Sequence, residues 1–75
     1  MAYKYEQKLL VEFGNNVSIA RKENNLTQQQ LAEMLDVSVV TIAYIETGKR
    51  WVRIGTLNRL SKALKVSISE LFIGI

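Results

Sequence analysis

The chain has 75 residues, room for one domain spanning 1–75, and contains neither Cys nor His. That rules out disulfides, thiolate metal sites and the commonest general base, so no metal, no other cofactor and no acid–base enzyme is expected. Net charge is +3 but uneven: residues 1–48 hold four basic and six acidic side chains, whereas 49–75 hold Lys49, Arg50, Arg53, Arg59, Lys62 and Lys65 against Glu70 alone. A basic C-terminal half fits a polyanion partner as well as it fits a solvated helix face.

No Pro interrupts the chain, and the apolar spacing is helical almost throughout. The first helix is predicted over Tyr5 to Asn24. Its stripe is Leu9, Phe13, Val17 and Ala20, three or four apart, with Leu10 beside it. The Asn24-Asn25 pair ends it, because Asn tolerates the left-handed conformation of a helix C-terminus.

Thr27 and Gln30 form a capping box for the second helix, and Leu26 and Leu31 can close a hydrophobic staple across it. This helix runs to Leu35, with Leu31, Ala32 and Leu35 inward. A short turn at Asp36-Val37 follows. The turn position ordinarily favours Gly, and Asp enters the left-handed region at a modest cost. Ser38 caps a third helix, Val39 to Thr47, which Gly48 stops and which turns Ile42 and Ile45 inward.

A basic loop, Lys49 to Arg53, leads to a fourth helix over Ile54 to Leu64 with the stripe Leu57, Leu60, Ala63 and Leu64. Ser67-x-x-Glu70 is a last cap, opening a short fifth helix that carries Leu71 and Phe72. The expected fold is therefore all-α, a compact five-helix bundle. The second and third helices are joined by a turn too tight for an antiparallel hairpin. They must cross steeply, in a helix-turn-helix.

The run Thr27-Gln28-Gln29-Gln30-Leu31-Ala32-Glu33-Met34-Leu35-Asp36-Val37-Ser38, followed by Ile42 and Ile45-Glu46-Thr47-Gly48-Lys49-Arg50, resembles the Cro/C1-type (XRE) helix-turn-helix family. Phage repressors and restriction–modification controller proteins belong to it. The tail Leu60 to Ser67 with Leu71-Phe72 is similar too, so the resemblance covers roughly Phe13 to Phe72. It implies a lambda-repressor-like fold and a third helix lying in the DNA major groove. By position the implied base readers are Ser38, Val39, Val40, Thr41, Ala43 and Tyr44. The resemblance also implies that Gln28 meets a backbone phosphate and that Arg21 pairs structurally with Glu46.

The residues themselves sharpen this. Val39 and Val40 fall opposite Ile42 and Ile45 on the helical wheel. Contact with thymine methyls would explain two adjacent outward valines, although isolated surface valines are ordinary. Tyr44 can meet DNA or pack half-buried. The third helix has no Arg, Lys, Asn or Gln, so the bidentate pairings to guanine and adenine are not available from it. Readout is expected to lean on thymine methyls and DNA shape, and affinity on phosphate contacts from Gln28, Lys49, Arg50 and Arg53. Three loop cations in each half of a dimer give a salt slope on the order of −5. Arg59, Lys62 and Lys65 read as a solvated face. Trp51 reads as a lid on the core, or alternatively as packing against the DNA backbone.

Ile68, Phe72, Ile73 and Ile75 crowd the last eight residues, more than a short helix can bury alone. They form a candidate homodimer surface suited to a palindromic operator. Tyr3, Tyr5 and Leu9 on the first helix form a second. The leading expectation is a sequence-specific double-stranded DNA-binding transcriptional regulator. The competing reading is a protein-interaction module that kept the fold and lost DNA binding, and an enzyme has little support. No apolar run approaches the roughly 20 residues of a membrane span, nothing resembles a signal peptide, and no small-molecule site is evident. A cytoplasmic location suits the absence of Cys. Met1 and a helix at the end suit a complete protein.

Overall fold

The computed structural model describes residues 2–75, with side chains from Glu6 onward. The tyrosines at 3 and 5, read as part of a second interface, thus lie outside the described side chains. Four α-helices follow one another: α1 (Ala2–Glu23), α2 (Gln28–Leu35), α3 (Val39–Glu46) and α4 (Ile54–Leu64). A 3-10 turn, Ser69–Phe72, closes the described chain. The expected fifth α-helix is therefore corrected to a single 3-10 turn. Ser67 and Glu70 do cap it reciprocally, Ser67 N–H to Glu70 Oε1 at 3.0 Å and Glu70 N–H to Ser67 Oγ at 3.1 Å. The chain then leaves helical geometry at Ile73, before i→i+4 bonding can take hold. At the other end α1 starts earlier than expected, at Ala2.

The helix starts follow from side-chain chemistry. Thr27 Oγ1 accepts the Gln30 N–H at 3.0 Å, and Gln30 Oε1 accepts the Thr27 N–H at 2.8 Å. Ser38 Oγ accepts the Thr41 N–H at 3.1 Å. Each such cap contributes about 1 kcal/mol. At α4 the capping position is Arg53, whose side chain makes no cap bond.

All four α-helices end in one way. The residues just past them, Asn25, Asp36, Gly48 and Lys65, have φ of 58°, 56°, 76° and 59°. In each case the left-handed residue and the one after it donate back to the last turn. At α2, Asp36 N–H reaches the Glu33 carbonyl at 3.2 Å and Val37 N–H the Ala32 carbonyl at 3.0 Å. This is the Schellman arrangement, which satisfies carbonyls the helix leaves unpaired. The residue that follows it packs on the core as Leu26, Val37 and Val66 at three of the ends.

The core gathers Phe13, Val17 and Ala20 of α1, Leu31, Ala32 and Leu35 of α2, Ile42 and Ile45 of α3, Val52, Leu60 and Leu64, and Leu71 of the turn. Each fully buried Leu, Ile or Phe contributes roughly 1.5–3 kcal/mol. Leu9 and Leu10 reach only half-burial, because they line an open groove with Trp51, Phe72 and Ile75. Ala32, small where α2 meets α3, is 1% exposed.

One close approach and two side-chain amides lock the frame. Gly14 lets α1 touch the end of α3: a Cβ there would lie 2.3 Å from the Ile45 carbonyl oxygen. Asn24 Nδ2 donates to the Leu64 carbonyl at 2.8 Å, tying α1 to α4. Asn16 Nδ2 donates to the Leu71 and Ile73 carbonyls at 2.8 and 2.9 Å, holding the C-terminal turn against α1.

Candidate nucleic-acid interface

The helix that must be placed is α3, eight residues long and too short to be stable alone. It is fixed at its C-terminal end by a buried ion pair. Arg21 Nε donates to Glu46 Oε2 at 2.6 Å and Nη2 to Oε1 at 3.1 Å. Arg21 Nη1 also donates to the Leu26 carbonyl at 2.8 Å. Both residues are buried. Gln28, at the first position of α2, donates its amide to the same Glu46 Oε1 at 3.0 Å. One carboxylate therefore joins α1, α2 and α3. Gln28 retains a second amide N–H at the half-buried start of α2.

Ile42 and Ile45 turn inward, and the opposite side of α3 is open. Val39, Val40 and Tyr44 are 37%, 54% and 41% exposed. Ala43 and Thr41 are half-buried. Ser38 and Thr41 hydroxyls lie 3.0 Å apart, so both are engaged in the start of the helix. Two adjacent β-branched side chains at the solvent-facing first turn, flanked by hydroxyls, make a surface that is apolar and narrow.

The cations gather around the other end. The Schellman ending of α3 differs from its siblings: where they tuck in Leu26, Val37 and Val66, this one carries exposed Lys49. Its Nζ sits 5.9 Å from the centre of the Tyr44 ring, and the Arg50 guanidinium sits 5.8 Å from it. Tyr44 thus serves as a platform for two cations. Arg50 Nη1 also donates to Thr41 Oγ1 at 3.4 Å.

Arg53 stands apart from that platform. With Arg50 it lines a groove of about 300 Å³ between α3 and α4, whose walls include Thr41, Thr56 and Arg59. Arg59 was expected on a solvated helix face together with Lys62 and Lys65. It is exposed, as they are, and it also lines this groove, with Nη1 3.5 Å from the Leu35 carbonyl at the end of α2. Helical spacing on α4 alone does not reveal this, because the groove is made by α3 and the loop.

Trp51 has one side on the core. Its ring centre is 4.7 Å from that of Phe13 and 6.0 Å from that of Phe72, while it remains 48% exposed. Phe72 was expected among outward apolar residues. It is half-buried, with its ring 5.1 Å from that of Phe13 because the tight turn points it toward the core, and one rim stays open to solvent. Ile68, Ile73 and Ile75 remain 40%, 67% and 43% exposed. Among the described residues, no cluster of acidic side chains is gathered for a metal ion, and no helix is long and apolar enough to cross a membrane.

The helix-turn-helix family model matches residues 17–71, from the middle of α1 through the C-terminal turn. The chain belongs to the helix-turn-helix family. This membership places it among DNA-binding transcriptional regulators and not among enzymes.

Among similar helix-turn-helix proteins is the control protein C.MunI of Mycoplasma sp, 36% identical over 63 residues, covering 83% of this chain and 85% of that one. The transcriptional activator BcrR of Enterococcus faecalis is 41% identical over 64 residues, 85% of this chain but only 31% of BcrR. The crystal structure of the restriction-modification controller protein C.AhdI from Aeromonas hydrophila superposes with a TM-score of 0.80 at 30% identity. That match covers 84% of this chain and 96% of C.AhdI.

Proposed function

We propose that residues 1–75 act as one cytoplasmic, sequence-specific double-stranded DNA-binding domain, a homodimeric repressor or autoregulator on a palindromic operator. The observation that carries this reading is the open face of α3. Val39, Val40 and Tyr44 face solvent on a helix clamped from behind by Arg21, Glu46 and Gln28. A rigid helix with an apolar outer turn is suited to the major groove, with its first residues toward base edges.

In this reading Ser38, Val39, Val40, Thr41, Ala43 and Tyr44 meet the bases, the valines packing on thymine methyls. Gln28, Lys49, Arg50 and Arg53 meet phosphates. Exposed Ile68, Ile73 and Ile75, with the rim of Phe72, form the surface between copies. Likeness to the control protein C.MunI and to the restriction-modification controller protein C.AhdI supports a controller role as one form of this reading.

The test is selection of binding sites from a random duplex pool at moderate salt, followed by resynthesis of the winner with deoxyuridine in place of thymine. A palindrome with T-rich half-sites about one helical turn apart is expected. Uracil, which lacks the methyl, should weaken binding at the positions where Val39→Ala and Val40→Ala do. Retention of duplex with no enriched motif would leave the protein-interaction module as the better account.

A further inference from the structure

We propose that the groove between α3 and α4 is a subsite for one backbone phosphate of duplex DNA, and that Arg59 is its third cation. The inference rests on the DNA-binding reading above and adds a site to it. Three arginines, Arg50, Arg53 and Arg59, line one groove of about 300 Å³ that has no carboxylate in its wall. That space equals about ten waters, ample for a phosphodiester group and part of its hydration shell. Like charges on the loop and on α4 repel one another, so an anion between them relieves a cost the free protein carries. Planar guanidinium groups also match phosphate geometry.

The location fits the path of a DNA strand. Thr41 forms part of the groove wall and belongs to the first turn of α3, where its hydroxyl lies against that of Ser38. A duplex whose base edges meet Val39 and Val40 brings its sugar–phosphate backbone past Thr41 and into the groove. Arg50 is held toward the same place by its bond to Thr41. Arg59 is held by the Leu35 carbonyl through one nitrogen, which leaves the rest of its fork for the ligand. Lys62, one turn further along α4 and exposed, is not in the groove wall.

The experiment measures binding of a short mixed-sequence duplex across a salt series for the wild-type chain, Arg59→Gln and Lys62→Gln. Each variant removes one positive charge from α4. Arg59→Gln should weaken binding about tenfold and flatten the slope of log K against log salt by about 1 for each bound subunit. Lys62→Gln should leave the slope as it was. Equal changes in the two variants, or none in either, would show that Arg59 serves only the end of α2.

Modification of the wild-type chain by phenylglyoxal, read by mass spectrometry, gives the same answer without a variant that must fold. Bound duplex should protect Arg59 together with Arg50 and Arg53, while buried Arg21 stays unreactive throughout. Protection of Arg50 and Arg53 with Arg59 still reacting freely would overturn the proposal. A wild-type chain that binds no duplex at all would overturn the DNA-binding reading beneath it.

Discussion

Arg21 in α1 and Glu46 at the end of α3 meet through two hydrogen bonds of 2.6 and 3.1 Å, largely buried and 25 residues apart in sequence. The pair holds α3 in register with the rest of the domain, and Gln28 adds α2 to the same carboxylate. Arg21→Met should cost about 3–5 kcal/mol in urea unfolding, because it strands a buried carboxylate with one neutral donor. Arg21→Met combined with Glu46→Leu should recover most of that stability, since neither charge is then left unpaired. The double variant should still bind duplex more weakly than the wild type, having lost the bonds that orient α3. Full recovery of both properties would reduce the pair to a stability device.

Gly14 and Gly55 both sit inside helices, and their environments are opposite. A Cβ at Gly14 would lie 2.3 Å from one backbone oxygen of α3 and 2.7 Å from the next, whereas one at Gly55 has nothing within 4 Å. Gly14→Ala should therefore push α1 from α3 and cost about 2–3 kcal/mol, the scale of an overpacked core. Gly55→Ala should stabilise by about 0.4–1 kcal/mol, through a less flexible unfolded chain and better helix propensity. Thermal unfolding of the two variants side by side checks the contrast. Stabilisation by both would mean that α1 and α3 do not approach so closely.

What could be read from the residues in advance was local. Thr27 with Gln30, Ser38, and Ser67 with Glu70 cap their neighbours through atoms three residues away, and such bonds depend on spacing alone. The stop at Asp36 and the inward Ile42 and Ile45 are local in the same sense. What stayed hidden depends on distant segments. Gly14 carries only a helix penalty in sequence, yet it makes the α1–α3 contact possible. Asn16 reads as a polar surface residue until the Leu71 carbonyl, 55 residues away, is beside it. Arg59 looks like its neighbour Lys62 on α4, and only the loop after α3 separates their surroundings. Phe72 fits an outward stripe for a fifth α-helix, but a 3-10 turn rotates it onto Phe13.

The C-terminal turn carries a pH response. The Ser67 backbone N–H first, and its hydroxyl second, hold the Glu70 carboxyl below its ordinary range. A depressed folded-state value means the contribution is fully present above the unfolded-state pKa and is lost as pH falls through the lower, folded-state value. Acidification should thus loosen the cap of the turn without unfolding the domain, because Glu70 is at the surface. The Ser67 amide proton, followed by NMR, should titrate with a midpoint below the usual glutamate range, and Glu70→Gln should abolish the transition. A midpoint at the ordinary value would mean the cap bond is not formed in solution.

Of the four left-handed helix ends, only that of α3 has glycine, and the other three carry Asn25, Asp36 and Lys65. A side chain with a Cβ costs about 1–2 kcal/mol in that region, least for Asn. Glycine removes the strain but adds about 0.4–1 kcal/mol of unfolded-chain entropy. At Asp36 a further factor acts in the same direction. A negative charge stands at the C-terminal, negative end of α2, an unfavourable placement by a few tenths of a kcal/mol when exposed. At Lys65 the charge has the favourable sign for the end of α4, so its removal offsets part of the relief. Asp36→Gly should therefore stabilise the domain by about 1 kcal/mol, Lys65→Gly by less, and Asn25→Gly by almost nothing. Chemical denaturation of the three single variants tests the order. A loss of stability at Asp36→Gly would mean that the carboxylate does structural work in the turn, and the natural partner to examine would be Arg59, whose guanidinium already reaches the neighbouring Leu35 carbonyl.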